Sequence, residues 1–221
     1  NSEDHSSSIE YARFLKKKYN IKWINIVGDG QAPAGADFYV FQTWDYFTNY
    51  TDSINKIHID GGVKSYGKIS NQPYERFIAY MGSLSSHGGA ENFAEAFHKA
   101  QSKNLKLFLC GHGDNSRLRE LSRIDNRIQI KGFLSEEELV DLAHKAFAFV
   151  NPRPTSFAPN KFNFPSKLLF YLAFNKPIIS TKSSTINPEY DDLLFWVEDE
   201  TQEGFISAIE KIDLINEQEY E

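Results

Sequence analysis

The chain of 221 residues carries one cysteine and one methionine. With Cys110 alone, no internal disulfide can form. A single thiol fits a reducing compartment, and its place at the end of an apolar run reads as a small buried hydrophobe. No apolar run approaches the roughly 20 residues that a bilayer-spanning helix needs. The first residues, Asn1 to His5, are polar and acidic, so they do not read as a signal peptide. A chain that opens without Met is expected to be a fragment or a processed form. Several chemical signatures are also absent: C-x-x-C, H-E-x-x-H, the phosphate-loop G-K-[ST], D-x-D and G-x-S-x-G. Zinc modules, P-loop enzymes, metal-diphosphate sites and serine hydrolases lose their usual markers, and no metal or cofactor is expected. Acidic residues outnumber basic ones by 30 to 24, giving a net charge of −6. That balance argues against wholesale nucleic-acid binding and leaves room for a local basic site.

What is present is ordinary in bulk. The hydrophobic share is 41% and the charged share 24%, as in a soluble globular protein with one or two real cores. Aromatic residues make up 14% and are spread through every segment, which suits core and cleft lining rather than a special aromatic box.

The first third of the chain reads as polar, frayed residues 1–8, a helix over 10–19, strands over 21–27, 38–42 and 56–59, and a short helix over 44–50. A turn falls at Gly28 to Gly30. These are too few elements for a self-sufficient α/β domain. Residues 1–62 therefore read as the remnant or closing part of a larger lobe, with 63–73 as a linker. From Tyr74 the pattern becomes regular. Strands over 77–81, 105–110, 127–130, 146–150 and 177–180 alternate with helices, and a last short strand falls at 193–197. Ser135 and Glu138 form a capping box, Pro165 stands at a first helical position, and Thr201 caps a final helix with Phe205, Ile206, Ile209 and Ile212 at helical spacing. Residues 214–221 read as an acidic, disordered tail. Alternation of this kind implies βαβ units and a Rossmann-like parallel sheet.

In such a sheet every strand-to-helix loop opens on one edge. Those loops hold Gly82 to Gly89, Gly111 to Gly113, Lys131 to Phe133, and Asn151 to Lys167. Gly88 and Gly89 suit a close backbone approach to a phosphate at a helix start, or simply make the turn. His87 suits a phosphate donor or a solvated loop residue. His112, between two glycines, is either a cleft residue or a capping or core histidine. The basic residues Arg153, Lys161 and Lys167 come from one loop. A lysine in the first turn of a helix opposes the macrodipole, by about 0.3–1 kcal/mol, unless an anion sits there or the side chain swings into water. Ser166 and Lys167, with free first-turn N–H groups, are therefore the strongest candidates for a phosphate site. Glu198, Asp199 and Glu200 read as a solvated cluster ahead of the last helix.

The order of these loops resembles a known family. YMGSLSSHGGAENFAEAF, LKLFLCGHGD, RIQIKGFLSEEELVDLAHKAFAFVNPRP and FPSKLLFYLAFNKPIIST, all within 74–213, are similar to the C-terminal, donor-binding lobe of GT-B glycosyltransferases of family 4, or glycosyltransferase group 1. Residues 21–62 resemble the end of that family's N-terminal acceptor lobe, so the N-terminal lobe is expected to be incomplete. The resemblance implies transfer of a sugar from a nucleotide-diphosphate sugar to a glycan or lipid-linked acceptor without a metal. It implies diphosphate contacts from Arg153, Ser166, Lys167, Gly88, Gly89 and His87, and a base and ribose region at Gly132, Phe133, Gly111 and His112. It also implies work in cell-surface polysaccharide or glycoconjugate synthesis, in the cytoplasm or at the inner membrane face, with peripheral membrane association through the missing lobe. Two departures stand out. Ser83 and His87 lie in a first loop that often carries Arg and Lys, and Phe170 stands where the family has a ribose-binding Glu. An earlier family Glu would fall near Phe162. No catalytic base is named by these residues. The alternatives are a degenerate GT-B lobe that binds a nucleotide or partner without catalysis, and a nucleotide-binding α/β regulatory module.

Overall fold

A computed structural model describes residues 2–28, 32–66, 75–113, 115–161 and 163–215, with side chains from Ser7 onward. Asp29 and Gly30 of the expected turn, the later part of the expected linker, Phe162 and most of the tail lie outside those residues. The chain forms two compact units.

The first unit runs to Gly61 and includes short returns around 163–164 and at Ser184–Asn187. Its elements are α1 (Ser2–Tyr19), β1 (Ile24–Val27), β2 (Phe38–Phe41), α2 (Trp44–Asn49) and β3 (Lys56–His58). Over residues 2–8 the expected fraying is corrected, because α1 begins at Ser2. The first strand is shorter than its alternating pattern suggests and starts at Ile24, where pairing with Phe38 begins. The three strands are parallel, in the order β1-β2-β3. Val27, Tyr39 and Phe41 form the core, with Phe47 and Tyr50 packed against it. The Tyr39 and Tyr50 rings are 4.8 Å apart. Arg13 and Lys16 tie α1 to the loop before β2 by donating to the carbonyls of Ala34 and Gly35, at 3.0 and 2.9 Å.

The second unit comprises Gly62–Lys161, Pro165–Ser183 and the residues from Pro188 onward. It holds β4 (Glu75–Met81), α3 (Ala90–Lys99), β5 (Lys106–Cys110), α4 (Ser116–Ile124), β6 (Ile128–Gly132), α5 (Glu136–Lys145), β7 (Ala146–Asn151), α6 (Lys167–Leu172), β8 (Ile178–Thr181), β9 (Phe195–Val197) and α7 (Gln202–Asp213). All six strands are parallel, in the order β6-β5-β4-β7-β8-β9. This is the doubly wound order, with its switch point between β4 and β7. On one face Ile78, Tyr80, Leu107 and Leu109 meet α3, α4 and α7, where the Phe93 and Phe205 rings pack edge to face at 5.7 Å. Elsewhere in the unit Phe149 stacks on Tyr171 at 4.6 Å.

Local chemistry sets the element ends. The Ser135 hydroxyl accepts from the Glu138 N–H, and the Glu138 carboxylate accepts from the Ser135 N–H at 2.8 Å, completing the capping box of α5. At the other end of α5, buried Lys176 donates to the carbonyls of Ala143, His144 and Ala146, satisfying acceptors that the helix leaves open. Thr201 caps α7 through the Gly204 N–H.

Two expectations are corrected in this unit. The helix expected from Pro165 to Phe174 is α6, six residues beginning at Lys167, with Ser166 as its N-cap. The Leu168 N–H reaches back to the Pro165 carbonyl at 2.8 Å, so Pro165 opens a tight turn ahead of the helix instead of serving as its first residue. Nor is Glu200 part of a solvated cluster. Its carboxylate accepts from the Thr155 N–H at 3.0 Å and from the Thr155 hydroxyl, fastening the loop after β7.

Candidate functional site

Three loops at the carboxyl edge of the second sheet are cross-linked through their backbones. The Gly82 N–H donates to the Cys110 carbonyl at 2.8 Å, Leu84 N–H to His112 at 2.7 Å, and Gly111 N–H to Gly132 at 2.8 Å. A side chain at Gly111, whose φ is +147°, would collide with the Gly82 carbonyl, so only glycine permits this approach. The result is a cavity of about 320 Å³ behind the ends of β4 and β5, walled by Phe133, Leu139, Phe170, His112, Cys110 and Lys167 among others. It is largely apolar, with few polar groups, as ligand pockets commonly are.

The expected base and ribose residues divide here. Gly111, His112 and Phe133 line the cavity, and Gly132 ends β6 beside it in a left-handed conformation. The His112 imidazole is exposed and stacks on Phe133 at 4.4 Å, so the capping or core reading does not hold. Phe133 itself is 68% exposed, an unusual position for a large apolar ring and one suited to face a planar ligand. Burial pushes the Cys110 thiol up to about 11, which keeps it an inert wall residue.

Lys167 does not swing into water. Its ammonium lies over the Tyr80 ring, 4.5 Å from the centroid, and donates to the Tyr80 hydroxyl at 3.3 Å. Burial, with the nearby Arg153 charge as the smaller cause, brings its pKa down to about 8. Arg153 is half-buried just beyond β7, close enough for its charge to act on both Lys167 and Tyr80. Two cations thus gather at the switch point, an arrangement that favours an anion between or beside them.

The other expected phosphate residues are placed differently. Gly88 is buried, and a side chain there would meet the Tyr80 hydroxyl and the Ser83 carbonyl. Gly89, at φ +76°, would collide with the Pro152 carbonyl. Packing and backbone conformation account for both glycines. His87 is exposed, with Nδ1 2.6 Å from the Ser85 hydroxyl and its ring stacked on Phe157 at 6.2 Å. Ser166 is exposed and makes no side-chain capping bond. Lys161 is exposed at the end of a short 3₁₀ turn. Nothing in the sequence marks Tyr80 as part of the site. A tyrosine inside an apolar strand reads as core, and only the fold brings its hydroxyl beside Lys167.

Residues 75–213 match the family described as Glycosyl transferases group 1, more than half of the chain. The chain belongs to this family. Among solved structures, the group 1 chain is similar to HepE of Anabaena in complex with UDP and glucose, at 11% identity over 97% of this chain and 67% of that one, with a TM-score of 0.69. It is also similar to the lipopolysaccharide outer core galactosyltransferase WaaB, at 16% identity over 97% of this chain and 65% of that one, TM-score 0.67. Sucrose-phosphate synthase from Thermosynechococcus elongatus matches at 18% identity over 93% of this chain and 62% of that one, TM-score 0.66. At these identities the likeness establishes the fold, that of GT-B glycosyltransferase lobes. The chain spans about two thirds of the length of these structures. No curated protein matches it. No helix among the described residues is long and apolar enough to cross a membrane.

Proposed function

We propose that this chain carries the donor site of a glycosyltransferase that takes a nucleotide-diphosphate sugar and passes the sugar to a glycan or lipid-linked acceptor. The observation that carries the reading is the pairing of Lys167 and Arg153 at the switch point, beside an aromatic cavity of about 320 Å³. Sugar transfer breaks the bond between the anomeric carbon and a diphosphate oxygen. Negative charge then grows on the leaving group, and two cations held by the fold meet it without a metal. The aromatic wall, with Phe133 stacked on His112, suits the base. UDP and glucose bound to HepE, a protein of the same fold, add support for a nucleotide sugar as substrate. The galactosyltransferase WaaB, of the lipopolysaccharide outer core, supports a place in cell-surface glycan synthesis. On this reading the work is done in the cytoplasm or at the inner membrane face.

A second reading is favoured by Phe170. It lines the cavity where the group 1 pattern has an acid, and its ring packs edge-on against Tyr66 at 5.1 Å and against Phe174 at 5.0 Å. A lobe without that acid would bind a nucleotide and not transfer sugar. Titration of the chain and of Lys167→Ala with UDP- and GDP-sugars tests the first reading. Affinity for one donor is expected, with a loss of about 30-fold or more in the variant, as for removal of a charged hydrogen-bonding partner. Failure of both donors to bind, or equal binding by the variant, would sink the assignment. Binding without turnover in the presence of acceptor glycans would favour the second reading.

A further inference from the structure

We propose that Tyr80 positions Lys167 for its anionic ligand, and that Gly82 and Gly88 are there to give this pair room. The inference rests on the donor-site reading and names a residue that the reading does not use. The bonds run in one direction. Lys167 donates to the Tyr80 hydroxyl at 3.3 Å, and that hydroxyl donates to the Ser83 carbonyl at 2.5 Å. The phenol is fully buried, so its orientation is fixed by these partners and not shared with water. A chain of hydrogen bonds of this kind strengthens each member. The ring face below the ammonium adds a second, cation–π hold at 4.5 Å.

The glycines supply independent evidence. A methyl group on Gly82 would stand 2.9 Å from the Lys167 ammonium and 3.3 Å from its ε-carbon. One on Gly88 would strike the Tyr80 hydroxyl and the Ser83 carbonyl that receives its proton. Neither glycine has a left-handed backbone, so conformation alone does not call for glycine at either place. Both clearances involve the same two side chains, the one at Gly88 together with the Ser83 backbone carbonyl. A lysine is a flexible point charge, and holding it at one place on the cavity wall removes the entropy it would otherwise lose on binding.

Titration calorimetry of the whole chain with UDP, GDP, uridine and guanosine tests the proposal. Tyr80→Phe keeps the ring and removes the hydroxyl. It should weaken nucleoside diphosphate binding about tenfold and leave nucleoside binding unchanged, the scale of one hydrogen bond to a charged group. In the Lys167→Ala background the same substitution should have no further effect. Gly82→Ala should reproduce the diphosphate-selective loss, and it carries the test if Tyr80→Phe does not fold. Additive losses in the double variant, or an equal fall in nucleoside affinity, would overturn the positioning role alone. A wild-type chain that binds neither diphosphate would overturn the donor-site reading, and this inference with it.

Discussion

Strand β7 of the six-stranded sheet is buried at all six of its residues, whereas β1 of the three-stranded sheet buries only Val27. Both sheets are parallel, and parallel sheets normally have both faces covered. In the second unit, helices and loops supply that cover. In the first unit, α2 packs beside β2 and β3, and the residues pointing the other way, Ile24, Ile26, Phe38 and Ile57, stay exposed. The two strands have similar apolar content, INIV against AFAFVN, yet different surroundings. Apolar composition therefore says that a strand seeks cover, and only the connections say whether it finds any.

The contrast can be broken by truncation. Phe149→Ala, in the centre of the covered sheet, should cost about 4 kcal/mol of unfolding free energy, while Ile26→Ala, 68% exposed, should stay within about 0.5 kcal/mol. Equal losses in urea melts would mean that the first sheet is covered in solution. A second effect belongs to the larger unit alone. Asp125 bonds first to Arg127 and also to His98, and its pKa falls from 3.8 to about 2. A depressed carboxyl contributes stability that is present above its unfolded pKa and is lost as pH falls through the folded one. Acid melts should therefore lose about 2 kcal/mol between pH ~4 and pH ~2, and Asp125→Asn should flatten that limb.

A smaller effect sharpens the assignment of the ligand to the larger sheet. Lys167 is charged below about 8 and neutral above it. Nucleoside diphosphate affinity should drop about tenfold from pH ~7 to pH ~9, and the drop should vanish in Lys167→Ala. Lys56, which donates to Phe47 and Tyr50 carbonyls in the first unit, should leave that profile unaltered when replaced by Ala. The smallest effect is local. Ser135→Ala removes one half of the capping box and should cost about 1 kcal/mol in thermal melts, with no change in ligand affinity.

Much of the second unit was legible in the sequence because its signals are local. The Ser135–Glu138 box, the apolar strand ending at Cys110 and the Thr201 cap depend on neighbours a few residues away. The site was less legible. Lys167 stood out as a cation at a loop-to-helix junction, but its burial depends on Tyr80, which is 87 residues away. Glu200 looked solvated because nothing nearby in sequence announces Thr155 as its partner, 45 residues earlier. Gly88 and Gly89 suggested phosphate chemistry, and the fold uses them to pass a tyrosine and a carbonyl. Residue type marks what a position can do, and long-range contacts decide which use is taken.

The backbone bonds among the loops after β4, β5 and β6 bear on how this protein could be re-engineered. Gly82 to Cys110, Leu84 to His112 and Gly111 to Gly132 join three segments that are far apart in the chain. A segment grafted from a relative would bring its own N–H and C=O groups, but a loop of different length or turn would not set them opposite the partners its neighbours offer. The three would have to be exchanged as a set, and amide hydrogens along this rim should exchange at one common rate instead of loop by loop.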